Sequence, residues 1–203
     1  MKILSLDPAT TTGFCICDIE DNETVVIKEM GAFKIEVKKY DGDLNDFTGK
    51  TCNNMYEKVE KLVTQYSPDL CVIEDYFFSN KNRNGSSLNI YLRGAIFMLL
   101  DDYNIRYRKF SPTHWKTFIT GTLSGKPSKA RIARDGKAAA NKTVVYDSLV
   151  ERYNIQFPPT TTINGKTLKF KYDVSDAVGI ALFGVHLERP HAVFPHHKTL
   201  STS

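Results

Sequence analysis

Four carboxylates stand out by the company they keep. Asp7 closes the alternating stretch Lys2-Ile3-Leu4-Ser5-Leu6 and precedes a turn of small hydroxyl residues, Pro8-Ala9-Thr10-Thr11-Thr12-Gly13. Alone it reads as a turn or capping aspartate. Glu74, with Asp75 beside it, directly follows Leu70-Cys71-Val72-Ile73. That run has the composition of a buried parallel strand, and a charge at its end is costly unless it is paired or holds a cation. Asp173 and Asp176 are spaced i, i+3 at the start of a helical pattern, which puts them on one face with β-carbons about 5–6 Å apart. Helix capping would account for Asp173 by itself. Four acids brought together without basic partners repel one another. The chemistry that suits such a set is the binding of hard divalent cations, Mg²⁺ or Mn²⁺. Two such ions about 3.5–4 Å apart activate a water and stabilise the leaving oxygen in phosphodiester hydrolysis.

The elements that would position these acids follow from periodicity. Residues 2–7, 13–19 and 24–27 alternate in the manner of strands, with turn residues Asp21-Asn22 between the last two, and predict an opening three-stranded meander. From about Asp43 to Tyr66, Leu44, Phe47, Met55, Val59, Leu62 and Val63 recur at helical steps, and Ser67-Pro68 ends the pattern. The strand 70–73 follows, then a polar loop at 79–87, a helix over about 88–100 and a strand over 104–110. Ser111-Pro112-Thr113 has the form of a helix start, and Asp173–Leu187 reads as a final helix with Val174, Val178, Ala181, Leu182 and Val185 on its apolar face. In open α/β sheets, sites form beyond the carboxyl ends of strands, where Asp7 and Glu74 are expected.

Composition narrows the possibilities. A chain of 203 residues with 41% apolar and 25% charged residues is one globular domain, expected over 1–188, with a loosely held tail over 189–203. The apolar runs are far shorter than the roughly 20 residues of a membrane span, and the first residues lack a secretion core. A cytoplasmic protein, in a bacterial cell or a phage-infected host, is therefore expected, with no membrane partner. Cys15, Cys17, Cys52 and Cys71 lack metal-site spacing and are expected as reduced core thiols.

The set Asp7-Pro8-x-x-x-Thr12-Gly13, Ile73-Glu74-x-x-Phe77 and Asp173-x-x-Asp176-Ala177-x-x-Ile180-Ala181 resembles the RuvC-type Holliday junction resolvases of the RNase H-like nuclease superfamily. The resemblance runs in order from residue 2 to about 187. It implies an RNase H-like α/β fold, a five-stranded mixed sheet flanked by helices. It also implies a homodimer that nicks four-way DNA junctions symmetrically with Mg²⁺, during recombination, repair or the processing of replication intermediates. By motif, Asp7, Glu74, Asp173 and Asp176 would be the catalytic metal-binding acids, and Phe77 the aromatic that meets an unpaired base. Lys116 and Lys142 match the family's lysines, with a catalytic role implied for Lys142. Ala9 departs from the pattern, standing where the family has glycine, and segments over 121–140 and 160–171 resemble insertions.

Charge supports a nucleic-acid partner without the resemblance. The whole chain carries +4, yet between Tyr103 and Val145 ten basic residues face one acid, Asp135. Lys116, Lys126, Lys129, Arg131, Arg134, Lys137 and Lys142 are the phosphate-contacting candidates in this stretch. Three alternatives remain in the sequence: the same fold acting on flaps, forks or RNA–DNA hybrids, an actin-like or sugar-kinase-type nucleotide site suggested by the threonine-rich turn, and a junction-binding protein with an inactive site, against which the retention of all four acids argues. The second requires two such domains, for which the chain is short.

Overall fold

The computed structural model describes residues 1–35, 44–75, 83–122, 126–157, 162–163, 166–167 and 171–194. The strands β1 (Lys2–Asp7), β2 (Thr11–Ile19), β3 (Val25–Lys34), β4 (Leu70–Glu74) and β5 (Arg106–Phe110) form one sheet in the order β3-β2-β1-β4-β5. β1–β2 and β2–β3 pair antiparallel, while β1–β4 and β4–β5 pair parallel. This is the five-stranded mixed sheet the motifs imply.

Strand periodicity sorts the core into two layers. Leu4, Leu6, Phe14, Ile16, Cys71 and Ile73 point to one face, where they meet Met55 and Val59 of α1 (Leu44–Tyr66) and Leu92, Ile96 and Leu99 of α2 (Arg83–Asp102). Ile3, Cys15, Cys17, Leu70 and Val72 point to the other face. There they meet Trp115 and Ile119 of α3 (Pro112–Thr120), Leu149 of α5 (Lys137–Tyr153), and Val178 and Leu182 of α6 (Lys171–Glu188). α6 lies across β1 and β2 and under α3 and α5. Val174, Ala177, Val178, Ile180, Ala181, Leu182 and Val185 are accordingly all buried, more of the helix than a one-sided stripe would cover. Cys15, Cys17 and Cys71 are buried free thiols and Cys52 is half-buried.

Several boundaries differ from the sequence reading. α2 begins at Arg83, so the polar residues 83–87 are helical rather than loop, and β3 runs on to Lys34. The stretch 121–140, expected as an insertion, holds α4 (Lys129–Asp135) and the first turn of α5. β6 (Thr162–Ile163) and β7 (Lys166–Thr167) form a small separate hairpin within the second insertion. The chain after α6 is held more firmly than expected: Val193 donates to the Glu23 carbonyl at 2.8 Å and accepts from the Val25 amide at 3.0 Å, and Phe194 is buried. Among the described residues no helix is long and apolar enough to cross a membrane.

Candidate active site

The register of the sheet brings the first two acids together. β1 and β4 pair Ile3 with Leu70, Ser5 with Val72 and Leu6 with Ile73, so Asp7 and Glu74, one step further, end neighbouring strands at the same level. Both share the parity of Ile3, Ser5, Leu70 and Val72, which puts them on the α6 side. The Asp7 and Glu74 side chains are close enough to interact, by charge and by hydrogen bonding.

α6 delivers the other pair because its first turn can reach the sheet. Gly13 lies opposite Asp7 in the β1–β2 ladder. A β-carbon on Gly13 would stand 2.0 Å from the carbonyl oxygen of Asp173, so glycine is required for this contact. One turn further on, the buried Ser5 hydroxyl donates to the Ala177 carbonyl at 2.7 Å and fastens α6 to β1. Asp176, on the turn between these two contacts, then faces Asp7 and Glu74 closely enough to repel both. Asp173 interacts with Asp176 across the i, i+3 spacing. The Pro8–Thr12 turn is held by the Thr12 hydroxyl, which donates to the Ala9 carbonyl at 2.7 Å. Ala9 is not among the residues with positive φ, so alanine fits there without strain.

α3 supplies the donors. Lys116 Nζ stands 3.6 Å from Asp176 Oδ2 and 4.8 Å from the centre of the Trp115 ring. Trp115 Nε1 donates to Glu74 Oε1 at 3.2 Å, a bond that joins residues 41 positions apart. From the opposite face, the buried Arg93 of α2 donates through Nε to the Glu74 main-chain carbonyl at 3.4 Å. Sequence reasoning missed both Trp115 and Arg93 as neighbours of the site.

The electrostatics describe a site with surplus negative charge. Burial raises the Asp7 carboxyl well above the usual range, the charges of Glu74 and Asp176 and the bond to Glu74 raise it further, and Lys116 opposes them in part. Asp176 is pushed up to about 6, mainly by burial, with Lys116 opposing and Glu74 and Asp173 adding to the rise. Asp173 is raised by burial. These groups are partners of one another rather than a closed cage: among the described residues, no three His, Cys, Asp or Glu side chains converge at metal-ligand geometry. Glu74 leans to Trp115 and Asp176 to Lys116. The donor set nevertheless fits a hard divalent cation. It is all carboxylate oxygen, and Lys116, the one lysine facing the acids among the described residues, leaves them with more negative charge than it neutralises.

The remaining candidates are distributed differently. Lys126, Lys129 and Lys137 are exposed around α4 and the start of α5. Phe77 and the side chains of Arg131, Arg134 and Lys142 lie outside the described residues. Not all of the basic stretch is surface for a ligand. Arg108 and Arg106 reach Glu188 at 2.9 and 3.9 Å, and Lys109 reaches Asp75 at 4.0 Å.

Comparison with known proteins agrees with the geometry. The family model described as crossover junction endodeoxyribonuclease RuvC matches residues 3–137, a stretch that holds Asp7, Glu74 and Lys116. The RuvC crossover junction endodeoxyribonuclease of Orientia tsutsugamushi (strain Boryong) is 31% identical over 133 residues, covering 65% of this chain and 77% of the relative. That of Ehrlichia ruminantium (strain Gardel) is 25% identical over 189 residues, covering 92% and 97%. Among solved structures, Thermus thermophilus RuvC in complex with a Holliday junction substrate superposes with a TM-score of 0.61 at 13% identity, over 96% of this chain and 99% of that one, which establishes a shared fold. The chain thus belongs to the RuvC family of crossover junction endodeoxyribonucleases.

Proposed function

We propose that the protein is a metal-dependent endonuclease that nicks four-way DNA junctions. The observation that carries this reading is the meeting of Asp7, Glu74 and Asp176 at the ends of β1, β4 and the first turns of α6, in a member of the RuvC family. Asp7, Glu74, Asp173 and Asp176 would hold Mg²⁺ or Mn²⁺, two ions per site. When bound, such ions neutralise charge on the scissile phosphate and make water a nucleophile near neutral pH. Lys116, beside Asp176, and Lys142 of α5 are the cations available for the charge that develops on the phosphate oxygens. Lys126, Lys129, Arg131, Arg134 and Lys137 are the positioning contacts to the backbone of the DNA, and Phe77 is the side chain on which a base at the crossover would stack.

Paired nicks need two sites related by symmetry, so the reading includes a homodimer. Its supporting feature is the outer face of α2, where Ile90, Tyr91 and Met98 are 43%, 52% and 67% exposed, beside Tyr107 of β5 at 45%. Large apolar side chains grouped in this way mark an interface, and Met98→Glu is expected to yield monomers in sedimentation measurements. Function is tested by nicking of an immobile four-way junction with and without Mg²⁺, beside flaps, forks and RNA–DNA hybrids of the same sequence. Symmetric, Mg²⁺-dependent nicks that fall by about 100-fold or more in Asp7→Asn and Glu74→Gln are expected, equivalent to several kcal/mol of transition-state stabilisation. Undiminished cleavage by those variants would remove the assigned roles, and preference for a hybrid would change the substrate.

A further inference from the structure

We infer that Trp115 is a positioning residue for cation binding: its indole N–H fixes the orientation of the Glu74 carboxylate. The inference rests on the cation-binding reading above and goes beyond it in naming a group that is neither an acid nor a charge.

Three observations lead to it. First, Trp115 is completely buried and its ring is confined. A β-carbon on Gly179 of α6 would stand 2.7 Å from Trp115 Cζ3 and 3.0 Å from Cε3, so the helix backbone presses on the benzo edge of the indole. The ring cannot swing toward α6, and its N–H edge is aimed at Glu74 Oε1, 3.2 Å away. Second, an indole N–H only donates, and a buried donor left without an acceptor is costly. The same bond therefore stabilises α3 and immobilises the carboxylate. Third, the donor is neutral. Asp176 is held by the ammonium of Lys116, which offsets its charge. Glu74 is held by a group that takes up one lone pair and leaves the charge in place. A carboxylate has about four lone-pair positions, so Glu74 remains free to bind a cation while its rotation is restricted. Neighbouring residues of α3 thus serve two acids in different ways: Lys116 by charge and Trp115 by direction.

The chain contains one tryptophan, which makes a near-atomic test possible. Grown in a tryptophan-requiring host, the full-length protein can be made with 3-benzothienylalanine in place of Trp115, a side chain of closely similar shape in which sulfur replaces the N–H. Mn²⁺ affinity of the DNA-free protein is then measured by calorimetry, with thermal unfolding as a check on packing. Groups that orient a ligating side chain typically contribute 10–100-fold in affinity, and about tenfold weaker Mn²⁺ binding is expected in a protein that still unfolds cooperatively, with a modestly lower melting temperature from the lost hydrogen bond. Wild-type affinity in the folded sulfur-containing protein would overturn the inference and leave cation binding intact. No Mn²⁺ binding by the unmodified protein would overturn the cation reading itself.

A second measurement does not depend on the substituted protein folding. The wild type has a single indole N–H resonance in a ¹⁵N-labelled sample. Addition of Mg²⁺ is expected to shift it along the same titration curve as the amides near Asp7, and Glu74→Gln is expected to move it without metal. An indole resonance that stays fixed while those amides titrate would overturn the inference.

Discussion

The helices approach the two faces of the sheet differently, and their glycines show how. On the α6 face, a β-carbon at Gly179 or Gly184 would stand 2.7 Å from Trp115 or 2.9 Å from Val72, and Gly13 of β2 is closed off by the α6 backbone at 2.0 Å. Gly49 of α1 is exposed and Gly94 of α2 half-buried, and a β-carbon on either would meet nothing within 4 Å, so neither helix rests on the opposite face through a glycine. That face is filled by side chains, largely aliphatic, from α1 and α2. The face of α6 brings backbone against backbone, because carboxylates on a helix and on strand ends must meet at a few ångströms. Close approach is thus concentrated where charge is gathered, at the expense of both helix propensity and electrostatic comfort.

The most severe way to break this contrast is Gly13→Ala. A methyl group driven into the Asp173 carbonyl cannot be accommodated by a side-chain rotation, so the first turn of α6 must move away from β2. A loss of about 3 kcal/mol or more in denaturant unfolding is expected, at the upper end of the cost of overpacking, together with loss of junction cleavage. Near-native stability with full activity would show that α6 does not depend on this contact.

The contrast is sharpened by pH. A carboxyl group raised in the folded protein binds its proton more tightly there than in the unfolded chain. Its contribution is therefore fully present below the unfolded value near 3.8 and is lost as pH rises through the folded value, about 6 for Asp176. Without divalent ions, the stability of the wild type relative to Asp176→Asn is expected to fall between about pH 4 and pH 6, read as a difference in melting temperature. Because Asp7 is raised as well, the decline continues in the same sense as it deprotonates. Mg²⁺ added at pH 7 should restore wild-type stability and leave Asp176→Asn nearly unchanged. A relative stability that rises with pH would contradict the repulsive site.

The smallest effect belongs to the exposed side of α1. Gly49→Ala meets no atom and gains helix propensity, so a stabilisation of up to about 1 kcal/mol is expected. Chemical denaturation would record it as a higher midpoint with an unchanged slope.

The sequence discloses the acids more readily than their supports, for physical reasons. Asp7 and Glu74 are visible because a charged residue at the end of an apolar alternation breaks a period of two, and Asp173 and Asp176 because i, i+3 spacing sets a helix face. The strands themselves follow from the same local periodicities, whereas their joining into one five-stranded mixed sheet is implied by the family resemblance. Trp115 and Arg93 leave no such mark, since their partnership with Glu74 spans 41 and 19 residues and depends on how α3 and α2 sit on the sheet. The helix at 83–87 was hidden by polar and glycine residues that local propensity assigns to a loop, and tertiary packing overrides that preference. α5 is a different matter. Ala140, Val144, Leu149 and Tyr153 carry a helical pattern legible in the sequence, obscured only by the weight of charge in the preceding stretch. Charge also misleads in β5, where Arg106 and Arg108 serve Glu188 within the fold.

The attachment of α6 across β1 and β2 has a consequence for the order in which the molecule comes into being. Asp7 and Asp176 are contributed by the opening strand and the last helix, so the site closes a loop of almost the whole chain. Contacts of such sequence separation form late and slowly. On the ribosome, where elongation runs at roughly 5–20 residues per second, the sheet and the helices of its aliphatic face emerge well before α6. The nascent protein is spared the mutual repulsion of its acids while its aliphatic layer consolidates, and the acids of the proposed site meet only once synthesis has passed α6.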